Sequence, residues 1–470
     1  MTHNITIVGG GPGGYAAAIQ SARSGAAVTL VDQDQVGGTC LHHGCIPSKV
    51  MKRSAELMDD LSRAWEFGIP LKGKIPIDLR QLMHRKGQII SNQVKGISAQ
   101  LKQHHIRILS GTGKITTPGS VSVIDAEGTE TRVHWDRLIL APGSTPIEIA
   151  SLPFDGRTIL SSRDALSLET LPESLLIVGG GVIGCELGTI FSLLGVDVTL
   201  VEALERLLPL PSVDEDISRV FQREMKKRKF KFHVNTKLQR VEPRSDRCIA
   251  ELTPVSGKTQ PQRMEVEKIL ICIGRRPNTS GLGLDRMGIK TDASGGIMVD
   301  DRMRTTASDV YAIGDVLGPS RWMLAHVATM EGLVAGVNAT GGDRIMDYRA
   351  VPGTVFTLPE VASVGLTEKA AEKEGIAVNT HTVLFRHVGK AHVIGHIGGE
   401  AKVVVNRDTH EILGVHMVGP RVTELISEWA LAINTGCTLE QIAKTIHPHP
   451  TLSEITQETA LKGIGSSLYG

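Results

Sequence analysis

Two stretches of this 470-residue chain order their apolar and polar positions in the same way. ITIVGGGPGGYAAAIQSARSGAAVTLVD runs from Ile5 to Asp32, and LLIVGGGVIGCELGTIFSLLGVDVTLVE from Leu175 to Glu202. In each, a short apolar run ending in glycine predicts a buried strand, and an amphipathic helical period follows. A second apolar run then closes on an acid. The pattern predicts a βαβ unit, built twice. Between the units a long polar, helical stretch precedes strands expected at 106–109, 121–124 and 137–140. Beyond the second unit, EVEKILICIGRRPN and DVYAIGDV each carry a short apolar strand into a glycine turn. From about Tyr348 the character changes. Alternation at 355–365, 382–385, 401–406 and 412–418 predicts antiparallel strands, and Val422, Leu425, Ile426, Trp429, Ala432 and Ile433 mark one helix face.

Gly9, Gly11 and Gly14 follow a strand and open a helix, with Asp32 ending the next strand; Gly179, Gly181, Gly184 and Glu202 repeat the arrangement. That context is what a dinucleotide-binding G-x-G-x-x-G requires. The first glycine permits a tight turn, the second lets the backbone approach a pyrophosphate, and the third lets helix and strand pack closely. The pyrophosphate would sit on unpaired N–H groups at the helix N-terminus. The acid would accept hydrogen bonds from ribose hydroxyls. A doubly wound fold that binds no nucleotide is the plainer alternative, and two complete copies weigh against it. Glu202 would repel a 2′-phosphate; Ala203 and Leu204 bring no cation, and Arg206 reads as a surface charge. The second site is therefore expected to prefer NAD to NADP.

Length and composition narrow the picture further. A chain this long exceeds one hydrophobic core and divides into three or four domains. Hydrophobic residues make up 41% and charged residues 21%, an ordinary globular balance. Aromatics at 3% argue against a base-stacking nucleic-acid platform, and a net charge of +1 against attraction to nucleic acid or an anionic membrane. No apolar run approaches the roughly 18 residues that span a bilayer. The first strand starts too early to leave room for a targeting segment, so a cytoplasmic location is expected. Of six cysteines, Cys185, Cys248, Cys272 and Cys437 are isolated and read as packed thiols.

The remaining two stand in GGTCLHHGCIPSK, just after the first βαβ unit. Pro47 suits a first helical position, and Val50, Leu57, Met58 and Leu61 continue a helical stripe. Cys45 thus falls at or beside a helix N-terminus, where unpaired N–H groups stabilise a thiolate. In a reducing compartment a close pair is catalytic or metal-binding rather than a staple. Zinc would need two further ligands, and no second C-x-x-C pair exists; His42 and His43 are too local to complete a shell. Two bystander thiols are the third alternative. Near the C-terminus, Thr451 and Glu454 fit a T-x-x-E capping box, and His447 and His449 an H-x-H metal pair.

These segments, with MLAH, PEVASVGLTE and HPHPTLSE, resemble the dihydrolipoamide dehydrogenases, within the disulfide reductases that include glutathione reductase and mercuric reductase. The resemblance covers essentially the full length and implies an α/β fold: two Rossmann-like dinucleotide-binding domains plus a C-terminal α+β dimerisation domain. The expected divisions are 1–148 for FAD, 149–273 for NAD, 274–346 completing the FAD site, and 347–470 for the dimer interface. It implies FAD at Gly9, Gly11, Gly14 and Asp32, with Gly38, Thr39, Gly113, Gly143, Ser144, Asp315 and Ala325 as further contacts. It implies NAD at Gly179, Gly181, Gly184 and Glu202, with Leu238 and Gly274 nearby. A Lys49–Glu186 ion pair would lie beneath the flavin. Cys40 and Cys45 would form the redox disulfide, Cys40 exchanging with dihydrolipoamide and Cys45 facing the flavin. His449, oriented by Glu454, would be the acid–base group, and no metal is expected. In such enzymes the histidine serves the other subunit, so an obligate homodimer is implied, acting on lipoyl groups of an acyltransferase or a lipoyl carrier protein. Departures are His42 and His43, where the family has Asn and a small or apolar residue, and Pro142, where Thr or Ser is usual. A glutathione-like reductase using NADPH is the nearest rival, and a flavoprotein scaffold a more distant one. The ending SSLYG lacks the cysteine pair that mercuric reductase would need.

Overall fold

The computed structural model describes residues 3–73, 75–257 and 261–469. Asn4–Val8 pairs in parallel with Ala27–Asp32 on one side, from Asn4 opposite Ala27 to Val8 opposite Val31, and with Arg137–Leu140 on the other. Arg107–Ser110 and Val310–Ala312 complete this five-stranded parallel sheet. Its strands are apolar on both faces, as burial on both sides demands: Ile7, Leu30, Leu138 and Ile139 are fully buried. The helix Pro12–Arg23 covers one face and packs closely on the helix Ala325–Ala339. A Cβ at Gly332 would come 2.3 Å from the Gly13 carbonyl oxygen, so only glycine allows this approach.

A second parallel sheet repeats the first. Ser174–Val178 lies between Asp197–Val201 and Lys268–Ile271, flanked by Lys231–His233 and Ile159–Leu160. Each sheet carries a three-stranded antiparallel insertion, at 112–134 and 236–266. The chain leaves the first sheet, builds the second, and returns through Val310–Ala312. The third large sheet is antiparallel, in the order Gly353–Val355, Glu360–Gly365, Ile412–Gly419, Glu400–Asn406, Val378–Leu384. The helix Val422–Asn434 packs Ile426 and Trp429 against it.

One expectation is corrected here. Residues 355–365 are two strands, because the Phe356 N–H turns away from the ladder to donate to Glu186 Oε1 at 2.9 Å. Buried ion pairs join the C-terminal sheet to the rest. Lys52 Nζ reaches Glu360 Oε1 at 2.6 Å, and Lys402 Nζ meets Asp216 and Glu368 at 2.7 Å and Asp214 at 3.2 Å. Among the described residues no helix is long and apolar enough to cross a membrane.

Candidate active site

The two glycine turns have the same geometry. Gly9 has φ +108°, and a Cβ there would lie 2.0 Å from the Ala141 carbonyl oxygen; at Gly14 it would lie 1.8 Å from the Gly9 oxygen. Gly179 and Gly184 repeat both restrictions, with Cβ approaches of 2.4 Å to the Cys272 oxygen and 1.9 Å to the Gly179 oxygen. The middle glycines differ. A Cβ on Gly11 would meet only the Gly38 Cα, at 3.9 Å, and one on Gly181 nothing within 4 Å. Each middle glycine N-caps the helix that follows without a side-chain cap, leaving helix N–H groups turned toward open space.

The acids brace these turns. The Gly10 N–H donates to Asp32 Oδ2, and the Asp34 N–H to Oδ1 at 2.9 Å. The Gly180 N–H donates to Glu202 Oε2 at 2.6 Å, and the Leu204 N–H to Oε1 at 2.8 Å. Burial raises the pKa of the Asp32 carboxyl. Arg206 is not a free surface charge: its guanidinium donates to the carbonyl oxygens of Leu208 at 3.0 Å and of Leu210 and Val213 at 3.2 Å. It is committed to its own loop, and so cannot turn to offset the charge of Glu202.

Cys40 lies in the short helix Gly38–His43, and Cys45 opens the helix Cys45–Ser62 after Gly44. Pro47 is therefore the third helical residue, not the first. Both cysteines are free thiols. Interaction with the neighbouring Cys40 thiol, with the Lys49 charge, brings Cys45 down to about 7 against the opposing effect of burial. The same interaction and burial push Cys40 up. Lys49 stands one helical turn beyond Cys45, on the same face. Its Nζ lies 2.8 Å from Glu186 Oε2 and 4.3 Å from the centroid of the Phe356 ring. Gly38, at φ +57°, brings the cysteine segment onto the first glycine turn, where a Cβ would lie 2.7 Å from the Gly11 Cα. Thr39 packs behind Gly44, its carbonyl 3.1 Å from where a Cβ would stand.

His449 and Glu454 are joined, His449 Nδ1 to Glu454 Oε1 at 2.8 Å. Glu454 Oε2 accepts the Thr451 N–H at 3.0 Å, so the carboxylate serves both contacts with separate oxygens. The capping box is half formed: Ser453 is the N-cap, and Glu454 is the first helical residue of Glu454–Gly463. This helix packs on Leu439–Lys444 and on strands of the C-terminal sheet, whereas the cysteine helices pack on one another, on Leu79–Gln103 and on Val182–Leu193. His449 is 76% exposed.

Residues 3–332 match the family described as pyridine nucleotide-disulphide oxidoreductase, and residues 351–460 match its dimerisation domain. The chain belongs to that family. It is 38% identical over 466 residues to a dihydrolipoyl dehydrogenase of Bacillus subtilis, covering 99% of both chains. A mitochondrial dihydrolipoyl dehydrogenase of Arabidopsis thaliana is 37% identical over 98% of this chain and 90% of that one. Among solved structures, LpdA of Mycobacterium tuberculosis superposes with a TM-score of 0.90 at 32% identity, over 98% of this chain and 99% of the other. The HOCl-induced flavoprotein disulfide reductase RclA of Escherichia coli, solved as a Cu(II) complex, shares the fold at 24% identity, with a TM-score of 0.85 and coverage of 98% and 99%.

In this pyridine nucleotide-disulphide oxidoreductase the other expected residues fall as follows. Ser144 Oγ donates to Asp315 Oδ2 at 2.6 Å, and Arg275 Nε donates to Ser144 Oγ at 2.8 Å. Gly143 and Gly274, both at positive φ, flank this cluster. Ala325 is the first residue of the helix Ala325–Ala339. Gly113 lies against Val8 and Val31, where a Cβ would come within 3.0 Å of the Val8 side chain. Leu238 sits in the antiparallel insertion of the second sheet, packed on its apolar cluster. Sequence reasoning missed Arg275, Phe356 and Glu331. Arg275 stands beside Gly274 in IGRRPN, where a doubled arginine reads as surface. The potential ligand atoms of Asp59, Asp60 and His396 lie within 4.8 Å of one another. Arg228, at 2.8 Å from Asp59, and Arg63, at 3.1 Å from His396, fill the surroundings with positive charge instead.

Proposed function

We propose that the protein oxidises dihydrolipoamide, reducing NAD through a Cys40–Cys45 dithiol–disulfide couple. Identity to enzymes named dihydrolipoyl dehydrogenase, over 99% of the chain, carries this assignment. FAD and NAD fit the two glycine turns. Gly11 and Gly181 leave the room that a pyrophosphate needs, each at a helix N-terminus, and a buried acid stands behind each turn. Gly9, Gly11, Gly14, Asp32, Gly38, Thr39, Lys49, Gly113, Gly143, Ser144, Asp315 and Ala325 would hold FAD. Gly179, Gly181, Gly184, Glu202, Leu238 and Gly274 would hold NAD.

His449 takes a proton from one substrate thiol, and Glu454 keeps its Nδ1 occupied so that Nε2 is the accepting atom. The substrate thiolate attacks Cys40 Sγ and breaks the Cys40–Cys45 bond. Cys45 leaves as a thiolate, favoured by the positive charge of Lys49. The second substrate thiol then attacks the mixed disulfide, closes the lipoyl ring and frees Cys40. The substrate has lost two electrons and the cysteine pair has gained them. The hydride chemistry that carries this electron pair onward is supplied by FAD and NAD when bound.

The chain acts as a homodimer on lipoyl groups of an acyltransferase or lipoyl carrier protein, within a 2-oxoacid dehydrogenase or glycine-cleavage complex. A reducing cytoplasm would keep its other four cysteines as thiols. A glutathione-type reductase using NADPH is disfavoured, because Glu202 would repel a 2′-phosphate and Arg206 is committed to its own loop. The test is purified flavoprotein mixed with dihydrolipoamide and either NAD or NADP. Rapid reduction of NAD alone is expected, abolished by Cys45→Ser. Activity surviving that substitution, or equal use of NADP, would overturn the assignment.

A further inference from the structure

His447 stands two residues before His449, and the proposed mechanism leaves it without a task. Its side chain is 4% exposed, against 76% for His449. Its Nδ1 faces the Thr445 carbonyl oxygen at 3.0 Å, and its Nε2 faces both Glu428 oxygens, at 3.0 and 3.3 Å. A carbonyl and a carboxylate are acceptors, so both ring nitrogens are placed to donate. We propose that His447 is a positioning residue, a hydrogen-bonded clamp that fixes the upstream arm of the loop carrying the acid–base histidine. This rests on the function proposed above for His449.

The clamp joins two rigid points. Glu428 lies on the helix Val422–Asn434, whose Ile426 and Trp429 are buried in the C-terminal core. Thr445 closes the helix Leu439–Lys444 and ties itself to it, donating from Oγ1 to the Gln441 carbonyl at 2.9 Å. The downstream arm has its own anchor. Glu454 holds His449 Nδ1 and the Thr451 N–H, and Thr451 Oγ1 donates to the Pro448 carbonyl at 2.7 Å. Within the subunit, Ile446 is 92% exposed, so packing adds little on the upstream side. An exposed imidazole meant to meet a thiol on another surface cannot be held by burial. It is held by hydrogen bonds at both ends of its loop, and His447 supplies the upstream end. His447 needs no access to substrate to act.

Two reactions of the holoenzyme separate positioning from mere structure. Dihydrolipoamide oxidation needs His449, whereas NADH oxidation by ferricyanide bypasses it. His447→Leu is expected to lower kcat for dihydrolipoamide about tenfold or more, while KM stays within about twofold and ferricyanide reduction within about twofold. His447→Gln keeps one donor and should fall between Leu and wild type. Glu428→Gln, altering a partly exposed residue, keeps an acceptor without the charge and tests the clamp if His447→Leu folds poorly. Light scattering should show dimers throughout. Equal losses in both reactions, or no loss in either, would overturn the proposal. A wild-type enzyme that reduces ferricyanide but not lipoamide substrates would instead overturn the proposed function.

Discussion

Glu331 is fully buried in the helix Ala325–Ala339, accepting the Gly314 N–H at 2.6 Å and the Tyr348 hydroxyl at 2.7 Å. Burial raises its carboxyl from 4.5 to about 7, despite those two donors. Between these values the folded chain keeps a proton that the unfolded chain has released. Stability from this group is thus greatest below the unfolded pKa and falls as pH rises toward the folded one, by on the order of 3 kcal/mol. Glu331→Gln should flatten the decline of Tm between pH 5 and 8, measured by calorimetry on the holoprotein. Parallel curves for variant and wild type would refute this role. None of it was legible in MLAHVATMEG. The partners Gly314 and Tyr348 lie 17 residues away on either side, and no local period encodes them. The Glu454 contact with His449, five residues away, was implied by the family resemblance, while the residues alone suggested only a cap.

At the scale of elements, the glycine turns were the most readable part of the chain, since strand, turn, helix and acid are all local in sequence. The structure adds that the three glycines are not equivalent. Gly181 has φ −75°, which any residue adopts, and open space beyond its Cα. Gly184 has a carbonyl oxygen 1.9 Å from where a Cβ would stand. Gly181→Val should therefore fold like wild type but raise the NAD requirement about tenfold or more, since a good near-contact is lost for each intruding methyl. Gly184→Ala should instead destabilise by roughly 1–3 kcal/mol through overpacking. Urea melts and NAD titrations of the two variants should show this crossed pattern, and a Gly181→Val enzyme with unchanged NAD binding would refute the cradle. The less readable elements failed for a related reason. Residues 355–365 scan as one strand, but the Phe356 N–H is claimed by Glu186, 170 residues away. Helix ends slipped similarly: Pro47 and Thr451 fit first-turn chemistry, yet the neighbouring chain moved each boundary by two residues.

The whole molecule raises the question of which copy of His449 meets which copy of Cys40. The helix Glu454–Gly463, which follows the His449 loop, packs on Leu439–Lys444 and on the strands Val378–Leu384 and Glu400–Asn406, whereas the cysteine helix meets the C-terminal sheet elsewhere, at Glu360. The imidazole is exposed, and the family's dimerisation domain spans residues 351–460 around it. An isologous dimer would bring the histidine of one chain to the cysteines of the other, twice by symmetry. Cys45→Ser and His449→Gln dimers, each inactive alone, then become a decisive pair when unfolded together and refolded. A mixed dimer has one site combining both defects and one site combining intact Cys40–Cys45 with intact His449. Random mixing makes half the dimers mixed, so about a quarter of wild-type dihydrolipoamide activity should return. Sites contained within single chains would give no recovery at all, because every chain carries a defect. Recovery must also track dimer exchange: omitting the unfolding step should leave the mixture inactive for as long as the dimers stay intact.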